Sequence, residues 1–293
     1  MEKTLQGIIP PVPTPFRQEE LDLEAHRANI RRWNQTGLSG YLVVGSNGEA
    51  VYLDQKERDQ VVAATREEAA PEKILMVGTG AESTRGTIER TRRAAELGAD
   101  CALVVTPAYF KSQMTPERLA AHFQKVAEAS PIPILVYNFP QATGINLPAQ
   151  TVAELSRHQN ITGIKDSSGN LAQLSEIIHL SQEGFAVMVG NAEVFYPALA
   201  LGADGAILAV SNVIPNFCVE LMSRFQAGEL GQARQMQWRL AHLAAMVTRL
   251  HGVGALKAAM DLAGYRGGEV RSPLTMPPTP VVDELEELLE GLG

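Results

Sequence analysis

Cysteine is almost missing from this chain: Cys101 and Cys218 are the only two in 293 residues, too few for a disulfide scaffold or a cysteine zinc site. No apolar run approaches the roughly 20 residues that a membrane span needs. Positive charge is in deficit, with 25 Lys and Arg against 33 Asp and Glu and a net charge of -8. A basic face for nucleic acid or an anionic membrane is therefore not expected. The opening residues 1–16 are rich in proline and do not read as a secretory signal, so a cytoplasmic location is the expectation. What is present, 45% hydrophobic and 20% charged residues, is an ordinary globular balance.

One pattern recurs along the sequence: a short apolar run, a turn rich in Gly, Ser, Asn or Pro, then an amphipathic stretch. The apolar runs fall at residues 7–12, 40–44, 73–77, 101–105, 134–137, 161–165, 186–189 and 205–210. Runs with so little polar alternation are strands buried on both faces, as in a parallel sheet covered by helices. The joint Leu-Gly-Ala-Asp occurs twice, at 97–100 and 201–204, each time as a helix end followed by a new strand. Eight such units predict an α/β chain folded as a (β/α)8 barrel. The pattern stops near Ser211, and the remainder reads as helices only. The expected division is a barrel over residues 1–228 and a C-terminal helical extension over residues 229–293.

In such barrels chemistry gathers at the C-terminal ends of the strands. Those ends offer mainly hydroxyls and amides, with one basic group, Lys165. A lysine there is semi-buried, which lowers its pKa and frees an amine to attack a carbonyl. The alternative is a buried lysine paired with Asp166 or Glu49. The loop 45–49, Gly-Ser-Asn-Gly-Glu, has glycines that let backbone N–H groups converge on an anion such as a carboxylate; its alternative is a plain tight turn. Tyr137, one strand before Lys165, is placed to carry a proton, or is a core tyrosine. Tyr109 lies on the loop after the fourth strand and reads equally as a subunit contact. None of the six histidines falls at a strand end, so a metal-dependent reaction is not expected.

Gly-Ser-Asn-Gly-Glu at 45–49, Thr-Pro-x-Tyr at 106–109, Tyr-Asn-x-Pro at 137–140 and Gly-Ile-Lys-Asp at 163–166 stand in this order. Together they resemble the pyruvate-dependent class I aldolases of the dihydrodipicolinate synthase and N-acetylneuraminate lyase superfamily. The resemblance runs from Gly7 to the Leu256-Lys257 pair. It implies that Lys165 binds pyruvate as a covalent imine, with no cofactor and no metal. Tyr137 is then the general acid/base, and Ser46, Asn47 and Gly48 hold the pyruvate carboxylate. Gly190 and Ile207 line the pocket. Tyr109 crosses from a neighbouring subunit to complete a proton relay with Tyr137 and Ser46, in a homotetramer built as a dimer of dimers.

Within the superfamily, the position where dihydrodipicolinate synthases carry a carboxylate-gripping arginine is Ala142, and a methyl cannot replace a guanidinium. Positions that contribute to lysine feedback in that branch are Gln55, Arg58 and Glu82 here. The Ser46-Asn47 pair resembles instead 4-hydroxy-2-oxoglutarate aldolase and the 2-keto-3-deoxy sugar-acid aldolases. The expected reaction is therefore cleavage of a 4-hydroxy-2-oxo acid to pyruvate and an aldehyde, or its reverse. The alternatives are condensation of pyruvate with aspartate semialdehyde, and a barrel that binds an oxo acid without turning it over.

Overall fold

A computed structural model describes residues 5–292; residues 1–4 and 293, at the outer limits of the two expected units, lie outside the described residues. Eight parallel strands form the sheet: β1 (Gly7–Ile9), β2 (Gly40–Val43), β3 (Ile74–Gly78), β4 (Cys101–Val105), β5 (Ile134–Asn138), β6 (Ile161–Asp166), β7 (Ala186–Val189) and β8 (Gly205–Ile207). β8 pairs with β1, and the ring closes between β1 and β2 through the bridge of Pro11 with Leu42. Val12 donates to the Leu42 carbonyl at 2.7 Å and Leu42 to the Pro10 carbonyl at 3.0 Å. The first run was expected to be a strand to residue 12. It ends at Ile9 because Pro10 and Pro11 have no N–H to continue a ladder, yet the Pro10 carbonyl and the Val12 N–H still seal the barrel. The eighth run likewise stops at Ile207 and passes into a 3-10 turn, Ala209–Asn212.

The strands hide an alternation, broken by a register shift in β6 between Ile161 and Gly163. Ile9, Leu42, Ile74, Met76, Cys101, Leu103, Leu135, Tyr137, Met188 and Ile207 fill the barrel interior. Their strand neighbours Ile8, Val43, Leu75, Val77, Ala102, Val104, Val136, Ile164 and Val187 pack outward into the larger core beneath the helices. Both faces are apolar, so the period of two is invisible as a polar pattern.

Helices α1 (Leu23–Trp33), α2 (Gln55–Glu68), α3 (Thr84–Glu96), α4 (Pro116–Ala129), α5 (Ala149–Leu155), α6 (Leu171–Leu180), α7 (Phe195–Leu201) and α8 (Pro215–Gln226) cover the strands. Local chemistry sets their ends. Asp54 and Glu57 form a capping box at α2, and Thr115 caps α4 ahead of Pro116. The repeated Leu-Gly-Ala-Asp joints have the same geometry: Gly98 and Gly202 take positive φ. The carboxylates of Asp100 and Asp204 accept from Leu75 N and Val187 N at 2.8 and 2.7 Å.

Three helices follow, α9 (Leu230–Ala245), α10 (Gly252–Leu262) and α11 (Thr279–Glu290), with a π-helical segment, Met246–Leu250, between the first two. Among the described residues no helix is long and apolar enough to cross a membrane.

Gly163 sets the spacing of β6 against β7, since a Cβ there would lie 2.5 Å from the Ala186 carbonyl oxygen. Gly163→Ala is expected to destabilise the protein by about 1–3 kcal/mol through overpacking. Denaturant unfolding monitored by circular dichroism measures this, and an unchanged midpoint contradicts it.

Candidate active site

Alternation along β5 and β6 points Tyr137 and Lys165 into the barrel. The two residues are register partners across the β5–β6 pair, at the C-terminal mouth. Lys165 is 5% exposed. Its stem passes Gly190, where a Cβ would sit 3.0 Å from Lys165 Cε and 2.0 Å from Ser167 Oγ, so this position has no room for a side chain. The amine lies 4.3 Å from the centroid of the Tyr137 ring and has no ion pair among the described residues. Burial lowers its pKa to about 7.

Both carboxylates weighed as partners for Lys165 are engaged elsewhere. Asp166 accepts from Asn138 Nδ2 at 2.7 Å and from Ser168 N and Oγ at 3.0 and 2.5 Å, while Glu49 pairs with Lys257. Asn138 also receives Leu147 N at 3.0 Å. That bond ties the end of β5 to the chain that follows it.

Tyr137 is stacked on Phe139, with ring centroids 5.4 Å apart and planes at 14°. Burial pushes its phenol up to about 12, partly offset by hydrogen bonds with the hydroxyls of Ser167 and Ser46. At neutral pH it is therefore a protonated phenol, a donor in a chain of three hydroxyls reaching the loop 45–49. In that loop the backbone N–H groups of Ser46 and Asn47 have no acceptor among the described residues. The loop is bounded by two non-glycine residues in the left-handed region, Val44 at φ 54° and Glu49 at φ 53°. Such conformations cost about 1–3 kcal/mol each and persist where surrounding structure imposes them. Here Thr14 Oγ1 donates to the Gly48 carbonyl at 2.7 Å.

Ser46, Asn47, Tyr137, Lys165, Gly190 and Ile207 line one cavity of about 440 Å³. Two expected site residues stand apart from it. Gly48 is buried behind the loop and offers its carbonyl to Thr14. Tyr109 is 79% exposed, edge-on to Phe110, with its backbone N–H held by Glu82 at 2.8 Å. Within one chain it does not reach Lys165.

The structure adds groups that sequence reasoning passed over. Ser167 joins the hydroxyl chain from just past the end of β6; its spacing of two from Lys165 was the available signal. Arg249 and Glu193 also line the cavity and pair at 2.9 Å. Arg249 comes from the π-helical segment, and nothing in its local sequence placed it at the barrel mouth.

Comparison with known proteins identifies the family. The model of the dihydrodipicolinate synthetase family matches residues 4–291. A 4-hydroxy-tetrahydrodipicolinate synthase of Methanothrix thermoacetophila is 38% identical, covering 98% of this chain and 95% of its own. The dihydrodipicolinate synthase of Thermotoga maritima superposes with a TM-score of 0.94 at 32% identity, covering 98% of each chain. A prophage protein of the dihydrodipicolinic acid synthase family from E. coli K12, solved in complex with pyruvate, gives 0.91 at 31% identity, again over 98% of each chain. A (β/α)8 barrel with this match along nearly its whole length belongs to the dihydrodipicolinate synthetase family and is an enzyme of the lyase type.

Proposed function

We propose that this chain makes or breaks a carbon–carbon bond next to pyruvate through an imine on Lys165. The observation that carries the reading is a buried, unpaired amine opening on a cavity beside a protonated phenol and a loop of free backbone N–H groups. The amine adds to C2 of pyruvate and water leaves. The resulting iminium draws electrons from C3, which loses a proton and becomes an enamine able to attack an aldehyde carbon. In the reverse direction the iminium accepts the electron pair of the breaking C3–C4 bond. Tyr137 carries protons to and from the oxygens, and Ser46 and Asn47 orient the carboxylate in advance. That the E. coli relative was solved in complex with pyruvate supports pyruvate as the oxo acid.

For the aldehyde, the names of the relatives favour condensation with aspartate semialdehyde over the 4-hydroxy-2-oxo-acid cleavage expected from the sequence. The cavity supports an aldehyde bearing a carboxylate. Ala142 lies on its wall without a charge, but Arg249 and Lys165 are the cations among the lining residues, and Glu193 the anion. Cleavage of 4-hydroxy-2-oxoglutarate is the second reading. Ala142 and the Ser46-Asn47 pair favour it, and its aldehyde, glyoxylate, also carries a carboxylate.

Tyr109 joins the relay only when a second copy brings it in. A second cavity of about 630 Å³ reaches Ser46 and Tyr137 from the side of exposed Val51, which supports entry of a partner's side chain there. The homotetramer we propose rests on the family resemblance.

Borohydride reduction with pyruvate should place a stable adduct on Lys165, seen by peptide mass analysis and absent in Lys165→Ala. A chain that only holds the oxo acid would bind pyruvate equally well without Lys165. Burial depresses the lysine pKa, so the reactive neutral amine accumulates as pH rises through about 7; the trapping rate should climb with its midpoint there. A midpoint near 10 would remove the desolvated amine from the mechanism.

Turnover of aspartate semialdehyde, glyoxylate and glyceraldehyde, compared side by side, distinguishes the two readings. Arg249→Ala should raise KM for the acidic aldehydes roughly tenfold and leave that for glyceraldehyde within about twofold; equal effects on all three would discard Arg249 as the carboxylate anchor. Light scattering should return an assembly, and an active monomer would take Tyr109 out of the relay.

A further inference from the structure

The proposed reaction leaves unused a second buried lysine. Lys257, on α10, and Glu49, the last residue of the loop 45–49, have side chains 0% and 1% exposed. Lys257 Nζ donates to three oxygens: Glu49 Oε1 at 2.5 Å, the Thr14 carbonyl at 2.7 Å and the Glu269 carbonyl at 2.6 Å. The other carboxylate oxygen of Glu49 accepts from Arg271 N at 2.9 Å. Arg271 in turn pairs with Glu57 at 2.7 Å, the residue that closes the capping box of α2. Both carboxylate oxygens and all three ammonium donors of the pair are thus engaged, and two of its partners, Glu269 and Arg271, come from beyond the barrel.

Such a pair gives little net stability relative to a packed apolar replacement, because desolvating both charges offsets their attraction. Its geometry, however, is exacting. Lys257 grips the loop at two points: directly through Glu49, whose own backbone is left-handed, and through Thr14, whose hydroxyl holds the Gly48 carbonyl. We infer that Lys257 and Glu49 are positioning residues for the pyruvate carboxylate, through which the C-terminal helices hold the loop 45–49 with the N–H groups of Ser46 and Asn47 turned to the cavity. The inference rests on the reading of that loop as the carboxylate site. Neither residue lines the cavity, so both act through the loop.

Glu49→Gln keeps the volume but supplies one oxygen where two donors, Lys257 Nζ and Arg271 N, require an acceptor. Lys257→Met removes the three donated bonds and leaves Glu49 buried and charged with only the Arg271 N–H as partner, so it is paired with the double variant Lys257→Met/Glu49→Gln, which buries no charge. The concentration of pyruvate giving half-maximal borohydride trapping, the maximal trapping rate and its pH midpoint are measured for each folded variant. We expect half-saturation to rise roughly tenfold or more, the scale of losing a charge-assisted hydrogen bond to the carboxylate. The maximal rate and the pH midpoint should hold, because Lys165 is untouched. A Glu49→Gln or double variant with a lowered Tm but half-saturation within about twofold of the parent would show a purely structural pair and overturn the inference. Failure of the parent protein to form any adduct on Lys165 would instead overturn the underlying imine reading, so the two failures are distinguishable.

Discussion

Removing one ammonium group from water is the constraint around which this molecule is arranged. An exposed lysine is almost wholly protonated at neutral pH and inert toward a ketone. Lys165 departs from that state through its position on the inward face of β6, with its stem threaded past a glycine, no ion pair among the described residues, and a pKa lowered by burial to about 7. Two acids, one adjacent in sequence and one on the loop 45–49, were candidates to quench it. Asp166 is one residue on and points to the opposite side of the strand, where Asn138 and Ser168 occupy it. Glu49 is drawn away by Lys257. The site thus depends as much on where its negative charges are satisfied as on the amine itself.

The neighbouring groups follow from the same barrel geometry. Register places Tyr137 across from Lys165, and burial that lowers the amine's pKa raises the phenol's. One cause therefore yields a neutral nucleophile and a protonated donor over the same pH range. The loop opposite supplies backbone N–H groups and no cation, donors suited to the carboxylate of the proposed oxo acid. Strained backbone at Val44 and Glu49 is sustained by hydrogen bonds from Thr14 and by contacts with the C-terminal helices.

Those helices are therefore more than a cover. Arg249 reaches the mouth of the cavity from the π-helical segment, a kind of irregularity often found at functional sites. Lys257 reaches beneath the carboxylate loop from α10. The same stretch of chain thus meets the cavity at its rim and supports the loop 45–49 from behind.

The order of eight apolar runs, the twice-used Leu-Gly-Ala-Asp joint and the single lysine at a strand exit were determined by the sequence alone, because burial on both faces and glycine's left-handed backbone leave direct traces in residue type. The inward direction of Lys165 was not: with apolar residues on both faces, alternation leaves no polar mark, and only closure of the barrel separates inside from outside. Tertiary structure also decided which lysine meets which acid. Lys257 and Glu49 are more than two hundred residues apart, and a charge pair over that distance has no periodicity to betray it. Whether Arg249 stands at a cavity or in bulk water depended likewise on how the last helices fold back over the mouth.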